Sequence, residues 1–203
     1  MITVEDMKNG VRYARYTVEK VLNGHTLESV IEELKNKLPK DEIGAFTTIK
    51  TYPQKALRGC IGVPEPIYPM YKVVPYTAYS SAFGDPRFPP LAKEELDHVV
   101  FEVSYLTKPR LLEVTDPSEY LEKIKIGKHG IIVERGFFKG LFLPQVAIEQ
   151  NWGPEEFLTE CCLKAGLSPD SWLLKDTKIY VFEAKVFEET SPKGEIIEKR
   201  LIH

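Results

Sequence analysis

The sequence predicts an α+β fold with a largely antiparallel sheet and flanking helices. Three observations lead to this prediction. Apolar residues recur at spacings of three and four near the start of the chain, which is typical of amphipathic helices. Segments with alternating apolar residues, typical of strands, lie in the rest of the chain. Hairpins outnumber strand–helix–strand units among these segments, which favours α+β over a doubly wound α/β sheet.

Two helices are expected before the first strand. Thr3 is a suitable N-cap, and Asp6 is a weak capping-box partner three residues later. One apolar stripe then continues to Asn23-Gly24, where the first helix is expected to end. A second helix is expected over residues 27–37, because Pro39 prevents its continuation. The apolar positions of these helices are Val4, Met7, Val11, Ala14, Val18, Val21, Leu27, Val30, Ile31 and Leu34.

The first strands are predicted in the next part of the chain. Residues 43–50 are predicted to form one strand, and residues 57–63 return beside it after a turn at residues 52–55. A helix fits residues 70–83, although Pro75 restricts where it can begin. Together these segments give a hairpin with a following helix.

A central strand and a second hairpin are predicted further along. Residues 99–106 carry apolar side chains on both faces, as expected for a strand that is covered on both sides. Residues 129–135 and 137–143 are predicted to form a hairpin that turns at Gly136. The remaining expected elements are a helix over residues 117–125, helices opened by Pro144 and by Pro154, with Gly166 as the cap of the second, and a strand around residues 180–186.

The bulk composition limits the class of protein. The chain has 203 residues, of which 43% are hydrophobic and 28% charged, so a single folded domain over residues 1–203 is expected. The formal net charge of -3 argues against a strongly basic nucleic-acid-binding protein. No apolar run reaches the roughly 18–20 residues that a membrane span needs, and the acidic N-terminus lacks a signal-peptide core. Neither a nucleic-acid nor a membrane partner is therefore expected.

Cysteine usage predicts a reducing compartment. Three cysteines cannot all pair within one chain, and Cys161 and Cys162 are adjacent, so a disulfide scaffold is not expected and a cytoplasmic location is predicted. Adjacent helical positions point about 100° apart, so these two residues are interpreted as core filling rather than joint metal ligands. The chain has no paired Cys-x-x-Cys, His-Glu-x-x-His or glycine-rich phosphate motif. No metal is predicted, and the cofactor is left unknown.

The most informative segment is residues 57–62, Leu-Arg-Gly-Cys-Ile-Gly. In an extended strand Arg58 and Cys60 would share one face, because side chains alternate. Gly59 and Gly62 remove bulk beside the thiol and let another backbone or a ligand approach. A nearby guanidinium favours the thiolate and can also bind an anion. Cys60 is thus either a nucleophile activated by Arg58, with His129 as a further candidate, or a small packed residue of a strand.

Other polar residues also have two interpretations each. Arg58 and Arg87 can hold a carboxylate or phosphate, or can form internal ion pairs with Asp85 or Glu102. Glu102 lies among apolar residues; it is either an acid–base group or the partner of one of the arginines, and pairing is favoured. Ser104, two residues later, extends a polar site or satisfies Glu102. His129 is either a general base or a turn residue that hydrogen-bonds to backbone.

Several further blocks occur in a fixed order along the chain. They are Ser81-Ala82, residues 85–91 (Asp-Pro-Arg-Phe-Pro-Pro-Leu), residues 102–106 (Glu-Val-Ser-Tyr-Leu), residues 127–131 (Gly-Lys-His-Gly-Ile), and residues 143–147 (Leu-Pro-Gln-Val-Ala) followed by Gln150 and Trp152. Together with residues 57–62, these blocks resemble the AMME chromosomal region (AMMECR) protein family over about residues 5–190. The resemblance implies an α+β unit with a larger and a smaller lobe, whose signature segments gather near a cleft. It implies no particular activity, although relatives fused to dioxygenase-like and radical-SAM domains hint at metabolic or modification chemistry.

Two functional hypotheses follow. In the first, a cleft site around Arg58 and Cys60 binds or modifies a small anionic molecule. In the second, the same site belongs to a non-catalytic regulatory or interaction module that binds a protein or a nucleotide-containing partner. The sequence does not predict the oligomeric state. The candidate catalytic residues are Cys60, His129 and Glu102, and the candidate ligand-binding residues are Arg58, Gly59, Gly62, Asp85, Arg87 and Ser104.

Overall fold

The structure is a computed structural model that describes residues 1–201. Its helices are α1 (Val4–Leu22), α2 (Leu27–Leu34), α3 (Met70–Phe83), α4 (Glu119–Lys123), α5 (Pro144–Glu149) and α6 (Pro154–Lys164). Its strands are β1 (Gly44–Thr51), β2 (Leu57–Val63), β3 (Val99–Leu106), β4 (Arg110–Leu111), β5 (His129–Arg135), β6 (Phe138–Phe142), β7 (Lys178–Glu189) and β8 (Ile196–Lys199). Short 3-10 helices occupy Lys93–His98 and Ser171–Leu173.

The chain divides into two compact units. The first comprises Met1–Leu106 and Lys185–Lys199, and the second is built from Thr107–Ala184. The first part of β7 therefore belongs to the second unit and its last residues belong to the first. Each unit has its own apolar core of buried side chains.

The first unit contains β1, β2 and β3 as neighbouring antiparallel strands. Strand β1 lies in the middle, with β2 on one side and β3 on the other. Helix α3 packs on β1 and β2, and α1 packs on α3 and β3. The core between helices and strands includes fully buried Val11, Ile49, Val73 and Phe101. Every residue of β3 is buried, which confirms the prediction of a central strand.

The second unit contains β5 between β6 and the first part of β7, and β4 pairs with β7 on the same stretch. Helix α6 packs on β5 and β6. Its core includes Ile131, Phe157, Cys161 and Cys162, all with no exposed surface, which confirms that the two adjacent cysteines are core residues. Gly136 closes the β5–β6 hairpin with a φ of 60°, a left-handed conformation that glycine adopts without strain.

The predicted α+β class with antiparallel strand pairing is confirmed, and several local predictions hold as well. Thr3 and Asp6 form the predicted capping box, and Asn23 caps the end of α1. Helix α2 ends at Leu34, a turn before the predicted boundary at residue 37. Pro75 lies inside α3, which begins at Met70 and ends at Phe83 as predicted. The short strands β4 and β8 were not predicted, because they have too few residues to show alternation.

Candidate functional site

A row of side chains crosses β2, β1 and β3 on one face. In the strand pairing Cys60 lies opposite Thr48, and Thr48 lies opposite Glu102. Because directly opposed residues point to the same face of a sheet, the three side chains are neighbours. The sulfur of Cys60 lies 3.3 Å from the hydroxyl oxygen of Thr48, within hydrogen-bonding distance. The thiol is thus held by a neutral hydroxyl, and Glu102 lies two strands away.

The two glycines of residues 57–62 serve close packing. A Cβ at Gly59 would overlap the backbone oxygen of Ser81, so only glycine lets β2 approach α3 this closely. A Cβ at Gly62 would overlap the ring of Phe46. The Ser81 hydroxyl accepts from the N–H of Ile61 at 2.8 Å and so fixes α3 against β2. Both glycines have a packing role, and their predicted ligand contact stays a prediction.

Asp85 is a buried carboxylate that connects the loop after α3 to β2. Its side chain has no exposed surface. It accepts from the N–H of Cys60 at 2.9 Å and from the guanidinium of Arg87 through Nε at 3.0 Å and Nη2 at 2.8 Å. The hydrogen bond from Arg87 is the largest cause that holds the pKa of Asp85 far below its ordinary value, although burial opposes it. The carboxylate form of Asp85 is therefore favoured at neutral pH.

Arg87 is anchored and yet half exposed. Besides the two bonds to Asp85, its Nη2 donates to the carbonyl of Cys60 at 3.2 Å. Its side chain is 54% exposed, and Nη1 has no hydrogen-bond partner among the residues that the structure describes. The guanidinium carbon lies over the Phe88 ring, 5.7 Å from its centre, within the distance of a cation–π contact. The internal ion pair with Asp85, one of the two interpretations of Arg87, is present.

Arg58 has a different partner from those predicted. Its guanidinium binds the carboxylate of Glu95 at 2.7 and 3.0 Å and the carbonyl of Pro89 at 3.0 Å. The strand register shifts here, so that Lys50 faces Leu57 and no residue of β1 faces Arg58. This β-bulge interrupts the alternation on which the prediction of a shared face with Cys60 rested. The expectation that Asp85 or Glu102 neutralises Arg58 is wrong.

The surroundings of Cys60 favour the neutral thiol. Burial raises the pKa of Cys60, and the Thr48 hydrogen bond and the charge of Arg87 do not compensate. The cation that favours the thiolate is thus Arg87 rather than Arg58, and its effect is outweighed. The electrostatics oppose a resting thiolate nucleophile, which was one of the two interpretations of this residue.

We expect Cys60 to react slowly with iodoacetamide at neutral pH. In a Cys161→Ser, Cys162→Ser background, the rate should keep rising with pH beyond the ordinary thiol pKa of about 8.5, because burial raises the pKa in the folded protein. The measurement is the alkylation rate between pH 6 and 10, with the urea-unfolded protein as reference. A folded-state midpoint below that of the unfolded chain would restore the thiolate interpretation.

Glu102 is paired, but with lysines. Its carboxylate accepts from Lys50 at 2.8 Å and from Lys199 at 3.3 Å, and Glu102 is 2% exposed. Burial is the largest single influence and raises the pKa of Glu102, but the two ammonium groups together outweigh it and leave the pKa lowered. The favoured structural pairing is therefore present, and the prediction of an arginine partner is wrong. Ser104 is fully buried, and its hydroxyl has no hydrogen-bond partner within residues 1–201.

His129 is the first residue of β5 and lies in the second unit. It is 7% exposed, and its Nδ1 accepts from the backbone N–H of Lys125 at 3.2 Å. Burial is the main cause that lowers the pKa of His129, so the neutral ring is favoured. The hydrogen bond from Lys125 agrees with the interpretation of His129 as a turn residue that bonds to the backbone. The remaining candidates belong to the first unit; they are Arg58, Gly59, Cys60, Gly62, Asp85, Arg87, Glu102 and Ser104.

The family model described as AMMECR1 matches residues 11–187 of this chain. The chain belongs to the AMMECR1 family. Protein MJ0810 of Methanocaldococcus jannaschii is 50% identical over 202 residues, covering 100% of this chain and 99% of that protein. Protein NEQ441 of Nanoarchaeum equitans is 56% identical over 181 residues, covering 89% of this chain and 99% of that protein.

A solved structure agrees with the fold. The crystal structure of protein PH0010 from Pyrococcus horikoshii superposes with a TM-score of 0.90 at 46% identity and covers 98% of both chains. The names of these three relatives state no activity, so family membership supplies a fold and leaves the chemistry to the residues. In the described part of the chain, no group of three or more His, Cys, Asp or Glu residues is arranged to hold a metal ion. No helix among residues 1–201 is long and apolar enough to cross a membrane.

Within this AMMECR1 chain, sequence reasoning missed several partners of the site. Glu95 and Phe88 contact Arg58, while Lys50 and Lys199 contact Glu102. The Phe88 ring is close to two guanidiniums: its centre is 5.8 Å from that of Arg58 and 5.7 Å from that of Arg87. Phe88 follows Arg87 directly, so its contact with that residue had a signal in the sequence. The lysines had none, because their contacts depend on strand register.

Proposed function

We propose that the chain binds a small anionic molecule without forming a covalent bond to it, with Arg87 as the recognising cation. This narrows the hypothesis of a site that binds or modifies an anion, and it moves the recognising group from Arg58 to Arg87. The ligand class is a carboxylate or a phosphate, because either anion offers oxygens that accept charge-assisted hydrogen bonds from the N–H groups of Nη1. Binding without turnover also agrees with the alternative of a regulatory module.

The proposal depends on the Arg87 guanidinium, which is held in place by its neighbours and, among residues 1–201, still has a free, exposed donor. Its Nε and Nη2 are occupied by Asp85 and by the Cys60 carbonyl, while Nη1 has no partner in the described chain and the side chain is 54% exposed. An arginine fixed in this way loses little side-chain freedom when it binds a ligand. Arg58 is a weaker candidate for ligand binding, because its guanidinium nitrogens already donate to the Glu95 carboxylate and the Pro89 carbonyl.

The binding interpretation is preferred over covalent modification because of Cys60. Burial raises the pKa of Cys60, so the nucleophilic form is scarce at neutral pH. The lowered pKa of Glu102 makes this residue a poor proton donor, and two lysines already occupy its carboxylate. A cytoplasmic location remains our expectation, supported by three cysteines that are all unpaired.

Inorganic phosphate is a suitable first probe. Titrated into ¹⁵N-labelled protein at constant ionic strength, it is expected to shift the backbone amides of Gly84, Asp85, Arg87, Phe88 and Cys60. Arg87→Met should weaken phosphate binding about tenfold or more, since hydrogen bonds to charged groups are worth about 1.5–3 kcal/mol. Arg135→Met is the matched control, because Arg135 is also a partly exposed arginine paired with an aspartate, Asp176.

The outcomes separate clearly. Saturable shifts that Arg87→Met weakens and Arg135→Met leaves unchanged support the proposal. Equal binding by wild type and Arg87→Met, or no response to phosphate and to acetate at concentrations well above physiological levels, would overturn it. Arg87→Lys adds a test of geometry, because lysine keeps the charge but not the planar guanidinium that Asp85 and the Cys60 carbonyl hold in place.

A further inference from the structure

We infer that the anion bound by Arg87 carries an aromatic ring and that this ring stacks on Phe46. The inference rests on the proposed function, since Arg87 supplies the charge that recognises the anion. It adds to that site a ligand class, a carboxylate or phosphate with an aryl group, and a second residue that recognises the ligand. The class follows from a partly buried ring outside both apolar cores of the described chain and from the thiol beside it.

Phe46 lies on β1, the middle strand of the first unit, and is nevertheless only partly buried. Its neighbours Ala45 and Thr47 have no exposed surface; Ala45 belongs to the core, and Thr47 bonds to Thr77 of α3. Side chains alternate along a strand, so Phe46 points to the face opposite the helices. Within residues 1–201 it is a member of neither apolar core. Core packing therefore leaves part of this ring accessible to a ligand.

A glycine places the Phe46 ring beside Cys60. Phe46 and Gly62 are paired residues of β1 and β2, and a Cβ at Gly62 would overlap the ring, so the ring extends over β2. Cys60 lies two residues from Gly62 on the same strand, and its side chain is therefore on the same face, about 6–7 Å along the strand. No side chain of β2 stands between the ring and the thiol on this face.

The accessible part of this face leads from Phe46 to Arg87. Toward β3 the face is closed, because Glu102 is 2% exposed and Ser104 has no exposed surface. Toward the edge of β2, Cys60 is partly exposed, and Nη2 of Arg87 donates to its carbonyl at 3.2 Å. A ligand whose anionic group binds Nη1 of Arg87 therefore meets Cys60 and Phe46 rather than the side chains of β3.

The two side chains that such a ligand meets favour an aromatic group. Aromatic rings gain from offset stacking on one another beyond the burial of apolar surface. The sulfur of a cysteine or methionine is polarisable and suits contact with a ring. Burial raises the pKa of Cys60, so the thiol is neutral at neutral pH and does not attract a second charge. A ring with one anionic group matches this surface better than a small polyanion.

Phe88 is the other aromatic residue near Arg87, and its ring is already used. The guanidinium carbons of Arg58 and Arg87 lie over it, 5.8 and 5.7 Å from its centre. In contrast, Phe46 makes no contact with another ring or with a cation in the described part of the chain. Phe46 is therefore the ring that has a free surface for stacking.

The test compares anions that differ only in their non-polar part. Acetate, phenylacetate and cyclohexylacetate are titrated into ¹⁵N,¹³C-labelled wild-type protein at constant ionic strength, with the Cys60 amide as reporter. We expect phenylacetate to bind about tenfold more tightly than acetate, because its ring is buried on the protein. Cyclohexylacetate is apolar but not aromatic and should bind about threefold more weakly than phenylacetate. Intermolecular NOEs from the phenyl protons to the Phe46 ring are expected in the same samples.

Two variants assign the aromatic preference to one residue. Phe46→Leu keeps an apolar side chain over Gly62 but removes the ring, so the ratio of the acetate and phenylacetate dissociation constants should fall about threefold. Phe88→Leu is the matched control, because it removes the other ring near Arg87 and should preserve this ratio. If Phe46→Leu does not fold, the NOEs and the cyclohexylacetate comparison still decide the question in the wild-type protein.

The outcomes distinguish this inference from the proposed function. Equal affinity of wild type for acetate and phenylacetate would overturn the inference and leave Arg87 as an anion site. No binding of either anion would overturn both. Cyclohexylacetate bound as tightly as phenylacetate, or the absence of NOEs to Phe46, would exclude stacking on this ring. A ratio that Phe88→Leu lowers and Phe46→Leu preserves would contradict the inference too, since the ligand ring would then lie on Phe88.

Discussion

Removal of one member of the Arg15–Glu189 pair is expected to destabilise the protein by about 3–5 kcal/mol, because an uncompensated charge would remain buried. Arg15 on α1 is 4% exposed, and Glu189 at the end of β7 is 2% exposed. The guanidinium meets the carboxylate in a forked arrangement with Nε–Oε1 and Nη2–Oε2 distances of 2.7 Å. The two side chains therefore form a bidentate ion pair, which is the strong form of this interaction.

The remaining donors and acceptors of this pair are also used. Arg15 donates to the carbonyls of Leu96 at 2.8 Å and Val99 at 2.6 Å, and Glu189 accepts from the N–H of Phe101 at 2.9 Å. The pair thus connects α1, the start of β3 and the last residue of β7 within the first unit. A single substitution would leave several buried polar groups without partners, and each such group adds to the cost.

Urea unfolding of Glu189→Gln and Arg15→Met would measure this effect. The matched control is Arg12→Met on the same helix, since Arg12 is 52% exposed and pairs with the exposed Glu5. We expect the control to cost less than about 1 kcal/mol. The double variant Arg15→Met, Glu189→Met should recover part of the loss, because it removes both charges. If Arg15→Met lowered the free energy of unfolding no more than Arg12→Met does, the interpretation that the buried pair stabilises the fold would be wrong.

Local sequence rules accounted for most elements of this fold. The Thr3–Asp6 capping box, the turn at Gly136 and the bounds of β2 depend only on residues a few positions apart. A single sequence therefore suffices to predict such elements, from the spacing of its apolar residues and from its capping residues. The boundary of α2 was predicted less well, because Pro39 limits how far a helix can extend but does not determine where it ends.

The sequence predicted several residues of the candidate site but not most of their partners. Residues 57–62 and 85–91 each contain unusual combinations of glycine, proline and charge, so the candidates Cys60, Asp85 and Arg87 could be named. The partners of Arg58 and Glu102 lie far along the chain. Glu95 is 37 residues from Arg58, and Lys199 is 97 residues from Glu102. A sequence can show that a buried charge needs a partner, but only the assembled strands determine which residue supplies it.

The second large effect is expected at Glu102. Glu102→Gln removes the carboxylate charge that Lys50 and Lys199 share, and leaves two ammonium groups beside a buried amide. The side chains of Lys50 and Lys199 are 16% and 29% exposed, so both retain some contact with water. We therefore expect a loss of about 1.5–3 kcal/mol at neutral pH, the range for hydrogen bonds to charged groups, rather than the full cost of a completely buried pair.

The pH dependence of this loss tests its electrostatic origin. The pKa of Glu102 is lowered in the folded protein, so its ionised form stabilises the fold at every pH above the unfolded value of about 4.3. As the pH falls below that value and through the folded pKa, this contribution is lost. The difference in unfolding free energy between wild type and Glu102→Gln should thus be constant from pH 8 to 6 and shrink below about pH 4. A difference that stays the same down to pH 3 would mean that Glu102 contributes by packing, and its two lysine contacts would then carry little of the stability of β3.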